Sequence, residues 1–148
     1  MKTTKTFGAA AAALAMLLLG SAVPAFADHE HAEHFDKCAK ACGDCQRHCD
    51  SCYRHCADLV AKGEKSHAKS MNLCVDCGDL CATAARLSAR QSELAFPACE
   101  ACAKACDVCA ESCEKFKDDK HMAACAKACR DCAKECREML KHAKHDKK

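Results

Sequence analysis

Isoleucine and tryptophan are absent beyond residue 27 of this 148-residue chain, and that stretch holds only six Leu, three Val, three Met, three Phe and one Tyr. Sixteen large apolar side chains are a thin supply for residues 28–148, which have the length of one ordinary domain. A charge excess of either sign is missing too. With Lys2 and Lys5 set aside, 21 basic residues face 21 acidic ones, which argues against nucleic acid and against an electrostatically held membrane protein. The apolar run Ala9–Leu19 is too short to span a bilayer comfortably, and no membrane span is expected in residues 28–148.

The chain has 18 cysteines instead, all in four groups. Cys38, Cys42, Cys45, Cys49, Cys52 and Cys56 are four, three, four, three and four residues apart. Cys74, Cys77 and Cys81 follow, then Cys99, Cys102, Cys106, Cys109 and Cys113, then Cys125, Cys129, Cys132 and Cys136, all with the same alternation of three and four. That spacing is the core-facing seam of a helix packed on other helices, whereas a strand would need a period of two. Leu, Ile and Val usually fill such a seam. Here thiols do, and reduced cysteine packs as a small hydrophobe.

Four groups imply four helices in an all-α, antiparallel four-helix bundle with a cysteine-lined core. Helix 1 is expected over Glu33–Lys62, ended by Gly63 in the left-handed conformation. Helix 2 follows over Ser66–Arg90 with Ser66 as N-cap, and helix 3 over Pro97–Lys117 with Pro97 in its first turn. Helix 4, capped by Asp118 or Asp119, runs to Ala143. Antiparallel packing then sets layers: Cys56, Cys74, Cys113 and Cys125; Cys49, Cys77, Cys109 and Cys129; Cys45, Cys81, Cys106 and Cys132. Beyond the thiols the stripe continues into Leu59, Met71, Phe116 and Met122 at one end, and Phe35, Ser88 and Met139 at the other.

Several motifs are missing. No C-x-x-C is followed by His, so covalent c-type haem is excluded. No C-x-x-C-x-x-C spacing suits an iron–sulfur cluster, and no β-α-β pattern surrounds a C-x-x-C pair. Catalysis by one activated thiol does not call for eighteen alike, so the chain is not expected to be an enzyme. Disulfides in every layer would exceed what stapling a bundle requires, although a disulfide-stapled structural bundle stays an alternative.

Metal binding is the leading reading. Thiolates are soft ligands for Cu(I), Zn(II) or Cd(II), and the carboxylates lie outside the seam, leaving hard cations no site. Buried thiolates must be neutralised by the ions they hold. Cu(I) shared between sulfurs achieves this at about one ion per cysteine, whereas zinc needs closed tetrahedra. A zinc or cadmium scavenger of metallothionein type is the other alternative.

The whole of residues 28–148 resembles the bacterial four-helix-bundle copper storage proteins. The likeness is carried by Arg54-His55-Cys56, by Met71 three residues before Cys74, by Cys113-Glu114-Lys115-Phe116 and by Lys134-Glu135-Cys136. The resemblance implies a bore holding multiple Cu(I) ions, with His55 and Met71 at the open end where copper enters and Met122 nearby. It also suggests further methionines at that mouth, where this chain has Leu59 and Lys62. The partners expected are copper ions and a copper-requiring enzyme or chaperone, with self-association left open.

Residues 1–27 read as a cleavable secretory leader, with Lys2 and Lys5, the apolar run and Ala25-Phe26-Ala27 as cleavage site. Residues 28–148 are then the cysteine-rich bundle. The first arginine is Arg47, so the leader is of Sec type, not twin-arginine, and the expected location is the periplasm. His29, His31 and His34 in DHEHAEH, with His142 and His145, read either as loose metal ligands or as plain polar termini.

Overall fold

The computed structural model describes residues 25–142. The leader expected over residues 1–27 falls, up to residue 24, outside the described residues, as does His145. Four α-helices follow one another: α1 (Ala25–Ala61), α2 (Ala68–Ala89), α3 (Ala95–Cys113) and α4 (Lys120–His142), with a 3-10 turn, Lys65–His67, before α2. No described helix is long and apolar enough to cross a membrane.

Each helix packs on two neighbours, in the order α1, α2, α3, α4 and back to α1. The diagonal pairs, α1 with α3 and α2 with α4, have no Cα atoms within 8 Å among the described residues. A bore therefore runs down the middle, and side chains alone fill it. The fill is the seam read from the sequence: all 18 cysteines, with Phe35, Met122, Met139 and a set of alanines.

The helix ends explain the links. α1 stops where Gly63 takes φ +98°. Glu64 N–H donates to Leu59 C=O and Gly63 N–H to Val60 C=O, both at 3.0 Å, the Schellman pair expected there. α4 starts on Asp119, whose Oδ1 accepts from His121 N–H at 2.8 Å and Met122 N–H at 3.2 Å, so Asp119 is the N-cap. Pro97 lies in the first turn of α3, where its missing N–H is harmless.

Three expectations need correction. α1 begins at Ala25, not Glu33, because Ala25, Ala27, Glu30, Ala32 and Glu33 favour helix ahead of the seam. Ser66 is not the N-cap of α2: the chain first makes the 3-10 turn, and the Ser66 hydroxyl meets His67 Nδ1 at 3.4 Å instead. α3 ends at Cys113, four residues before Lys117, in a turn where Phe116 N–H reaches Cys113 C=O.

Candidate metal centre

Every thiol faces the bore, and none is more than 1% exposed. The sulfurs form a nearly continuous file. Cys38 Sγ lies 3.2 Å from Cys99 and 3.9 Å from Cys136. Cys42 lies 3.5 Å from Cys136 and 3.6 Å from Cys132, and Cys102 is 3.5 Å from Cys81. Cys106 follows, 3.6 Å from Cys77 and 3.8 Å from Cys45. Cys45 leads to Cys129 at 3.7 Å, and Cys49 bridges Cys129 and Cys125 at 3.9 and 4.0 Å. Cys74 touches Cys109 and Cys125 at 3.8 and 3.9 Å. All eighteen are free thiols, and even the 3.2 Å approach is far outside the ~2.05 Å of a disulfide bond.

The layers differ from the expected ones by part of a turn. Cys74, Cys113 and Cys125 are joined by Cys52 rather than Cys56. The 3-10 turn Lys65–His67 lengthens the α1–α2 link, and Cys56 meets Met122 instead, beyond the last four-thiol group. Cys132 sits with Cys42, Cys102 and Cys136, while Cys45, Cys81 and Cys106 are completed by Cys77.

These groups of four thiols, each with its sulfurs within 4.8 Å of one another, overlap. Cys45, Cys49, Cys77, Cys125 and Cys129 each belong to two of them. Overlap suits ions bridged by common sulfurs better than separate closed tetrahedra, each needing four thiolates of its own. No Asp or Glu is buried among the described residues, so the bore offers soft donors almost alone.

The thiols also hold one another's protons. Hydrogen bonding to Cys106 leads in bringing the Cys77 thiol down to about 7. At Cys125 the contact with Cys109 pushes upward, but those from Cys113, Cys129 and Cys49 win and leave it at about 6. Burial, reinforced by Cys52, pushes Cys56 up to about 12. At the opposite end, hydrogen bonds from Cys136, Cys42 and Cys99 hold Cys38 well below the usual thiol range. Thiols pushed down thus alternate with neighbours pushed up, such as Cys99 and Cys42 beside Cys38, so the file titrates as a coupled set.

The end at the α1–α2 and α3–α4 turns is distinct. Cys52 and Cys56 donate to Met122 Sδ at 3.4 and 3.5 Å, making a three-sulfur set with a thioether. Half-buried His55 contacts Asp119 Oδ2 through Nε2 at 2.5 Å and stacks on His121 at 4.5 Å. Burial opposes the Asp119 charge, but His55 and the two capping N–H groups outweigh it and lower its carboxyl. Of the mouth residues expected, His55 and Met122 thus meet this end directly, and Met71 packs half-buried against the core one turn before Cys74.

Three residues here escaped the sequence reading. Asp119 was expected only as a cap and His121 not at all, because their link to His55 crosses between helices. His67 is buried and stacks on Phe116 at 4.0 Å; its signal was its place seven residues before Cys74, on the seam. Leu59, His67, Phe116 and Asp119 line an open depression of about 500 Å³.

Residues 31–141 match the family model described as copper storage protein. The chain belongs to the copper storage protein family. A Cu(I)-bound copper storage protein is 33% identical, with a TM-score of 0.66, the match covering 72% of this chain and 98% of that one. The apo form of copper storage protein 3 from Bacillus subtilis is 34% identical, with a TM-score of 0.60 and coverage of 70% and 96%. A cytosolic copper storage protein from Streptomyces lividans, loaded with five coppers, is 25% identical with a TM-score of 0.70 and coverage of 76% and 97%. No curated protein sequence matches significantly.

The family decides between the soft metals: this is a copper storage protein whose cargo is multiple Cu(I) ions. It also corrects the expected location. The Streptomyces lividans relative is cytosolic, which overturns the periplasmic export expected from the leader.

Proposed function

We propose that the whole cysteine file, Cys38 to Cys136, is the copper store, and that the end at His55, Met71 and Met122 is where copper enters. The bundle, residues 28–148, is the working unit in copper homeostasis, and it stores rather than catalyses. The observation carrying this is the overlap of the four-thiol groups. Shared sulfurs let each thiolate bridge two Cu(I) ions, so charge cancels along the bore instead of accumulating at isolated dithiolate sites. Met122 supports the choice of mouth, because its thioether is a neutral soft donor at the outermost sulfur position. Such a ligand can pass copper inward without holding it as a thiolate does.

Titration of the reduced chain with Cu(I) tests the store. Saturation is expected near one Cu(I) per cysteine, with protons released as the thiols ionise. An endpoint at half that value would mean separate dithiolate pairs. A handful of ions, with most thiols unreactive until reduced, would mean a disulfide-stapled bundle.

A further inference from the structure

The histidines at the opposite end of the bundle take no part in the thiol file, and antiparallel packing brings two of them together. His34 near the start of α1 and His142 at the end of α4 stack with ring centroids 3.5 Å apart and planes at 27°. Both are half-buried. Their backbones are anchored by the core: Phe35 follows His34 directly and Met139 lies three residues before His142, both essentially fully buried.

We propose that His34 and His142 form a second cation site, outside the bore, for a borderline divalent d-block ion such as Zn(II). Imidazole nitrogen is a borderline donor that suits such ions, whereas the thiolate file selects Cu(I). A metal about 2.0–2.1 Å from one nitrogen of each ring would spread the centroids to about 5 Å, a modest swing for half-buried rings. Carboxylates stand ready to balance the charge. Glu138 lies one turn before His142, and Glu33 directly precedes His34. Their present partners, Lys141 and Lys37, are exposed ion pairs at 2.7 and 2.6 Å, weak enough to yield to a divalent ion.

The test titrates the Cu(I)-saturated full chain with Zn(II) and reads bound zinc by equilibrium dialysis. With the thiolates occupied, zinc has little access to the bore. About one tight Zn(II) per chain is expected, weakened at least about tenfold in His34→Ala and in His142→Ala. Copper capacity, read in the same samples, should match the unaltered chain, separating loss of the site from loss of the fold. Should an alanine variant lose that capacity, His34→Gln and His142→Gln replace it. An unaltered chain that takes no zinc, or variants that bind it equally well, overturns the proposal. Equal binding would place the zinc on the remaining histidines.

Discussion

At one end of the bore the outermost sulfur is Met122 Sδ, in contact with Cys52 and Cys56 and bordered by His55, Asp119 and His121. At the other, Cys38 and Cys99 are the outermost thiols, and the stripe passes into Phe35, Ser88 and Met139, all buried. Phe35 leans on Phe96 with ring centroids 5.8 Å apart. Equal thiol chemistry thus ends, on one side, in a thioether touching two thiols beside titratable groups, and on the other in a phenyl ring, a thioether and the Ser88 hydroxyl 3.7 Å from Cys99 Sγ. The proposed point of entry lies at the first end, where Met122 Sδ touches two thiols and His55 and Asp119 stand beside it.

Breaking the apolar end should have the largest effect. Phe35→Ala removes a fully buried ring and should cost the apo bundle about 3–5 kcal/mol, read from a denaturant melt. It should also speed transfer of copper from the loaded protein to a competing chelator. Transfer at the unaltered rate would show that Phe35 stabilises the bundle without closing it.

Alkaline pH should loosen both ends of the bore. Cys56 is raised from 9.0 to about 12, so its contribution to stability is whole below pH 9 and is lost as pH rises through 12. The slope is up to about 1.4 kcal/mol per pH unit for such a group. Cys38 is shifted the opposite way, but its neighbours Cys99 and Cys42 are raised through their thiol contacts and lose their contribution over the same rise. Hydrogen exchange of the apo protein between pH 9 and 11, corrected for the intrinsic rate, should show protection falling at the end of α1 and start of α4 and also around Cys38. Protection retained around Cys38 alone would show that its own shift outweighs those of Cys99 and Cys42.

How much of this was legible follows from what each feature depends on. The 3/4 alternation is a local property, so it revealed four helices, their burial and the identity of every thiol in the bore. Layer register depends on links between helices. The unforeseen 3-10 turn at Lys65–His67 moved Cys56 from the last thiol layer to Met122. Asp119 was readable as a cap because capping is local, but its second role, holding His55 from another helix, was not. The expected location rested on a leader-like composition, a local feature of residues 1–27, and the cytosolic Streptomyces lividans relative speaks against it.

Removing the donors at the mouth should act on rate, not capacity. Replacing His55 with Ala and both Met71 and Met122 with Leu keeps most of the packing volume, since Met to Leu is nearly volume-conserving. Cu(I) loading in stopped flow should slow by about tenfold, or about 1.4 kcal/mol of barrier, with the final copper content almost unchanged. Unaltered loading kinetics would move the point of entry elsewhere.

The smallest effect separates the two turns that close the ends. The α1–α2 turn at the mouth and the α2–α3 turn at the apolar end share one hydrogen-bond pattern. Ser92 N–H donates to Leu87 C=O at 3.0 Å and Gln91 N–H to Ser88 C=O at 2.8 Å, repeating the bonds made by Glu64 and Gly63. The mouth turn places Gly at the left-handed position, but the other places Gln91 there at φ 50°. A side chain at such φ costs about 1–2 kcal/mol, while glycine adds freedom to the unfolded chain and returns part of any gain. Gln91→Gly should therefore stabilise the apo protein by about 0.5–1 kcal/mol, and Gly63→Ala should destabilise it by about 1 kcal/mol or more. Denaturant melts of the two variants check the signs. If Gln91→Gly destabilises instead, the glutamine side chain contributes to closing the apolar end, and the two turns are not equivalent.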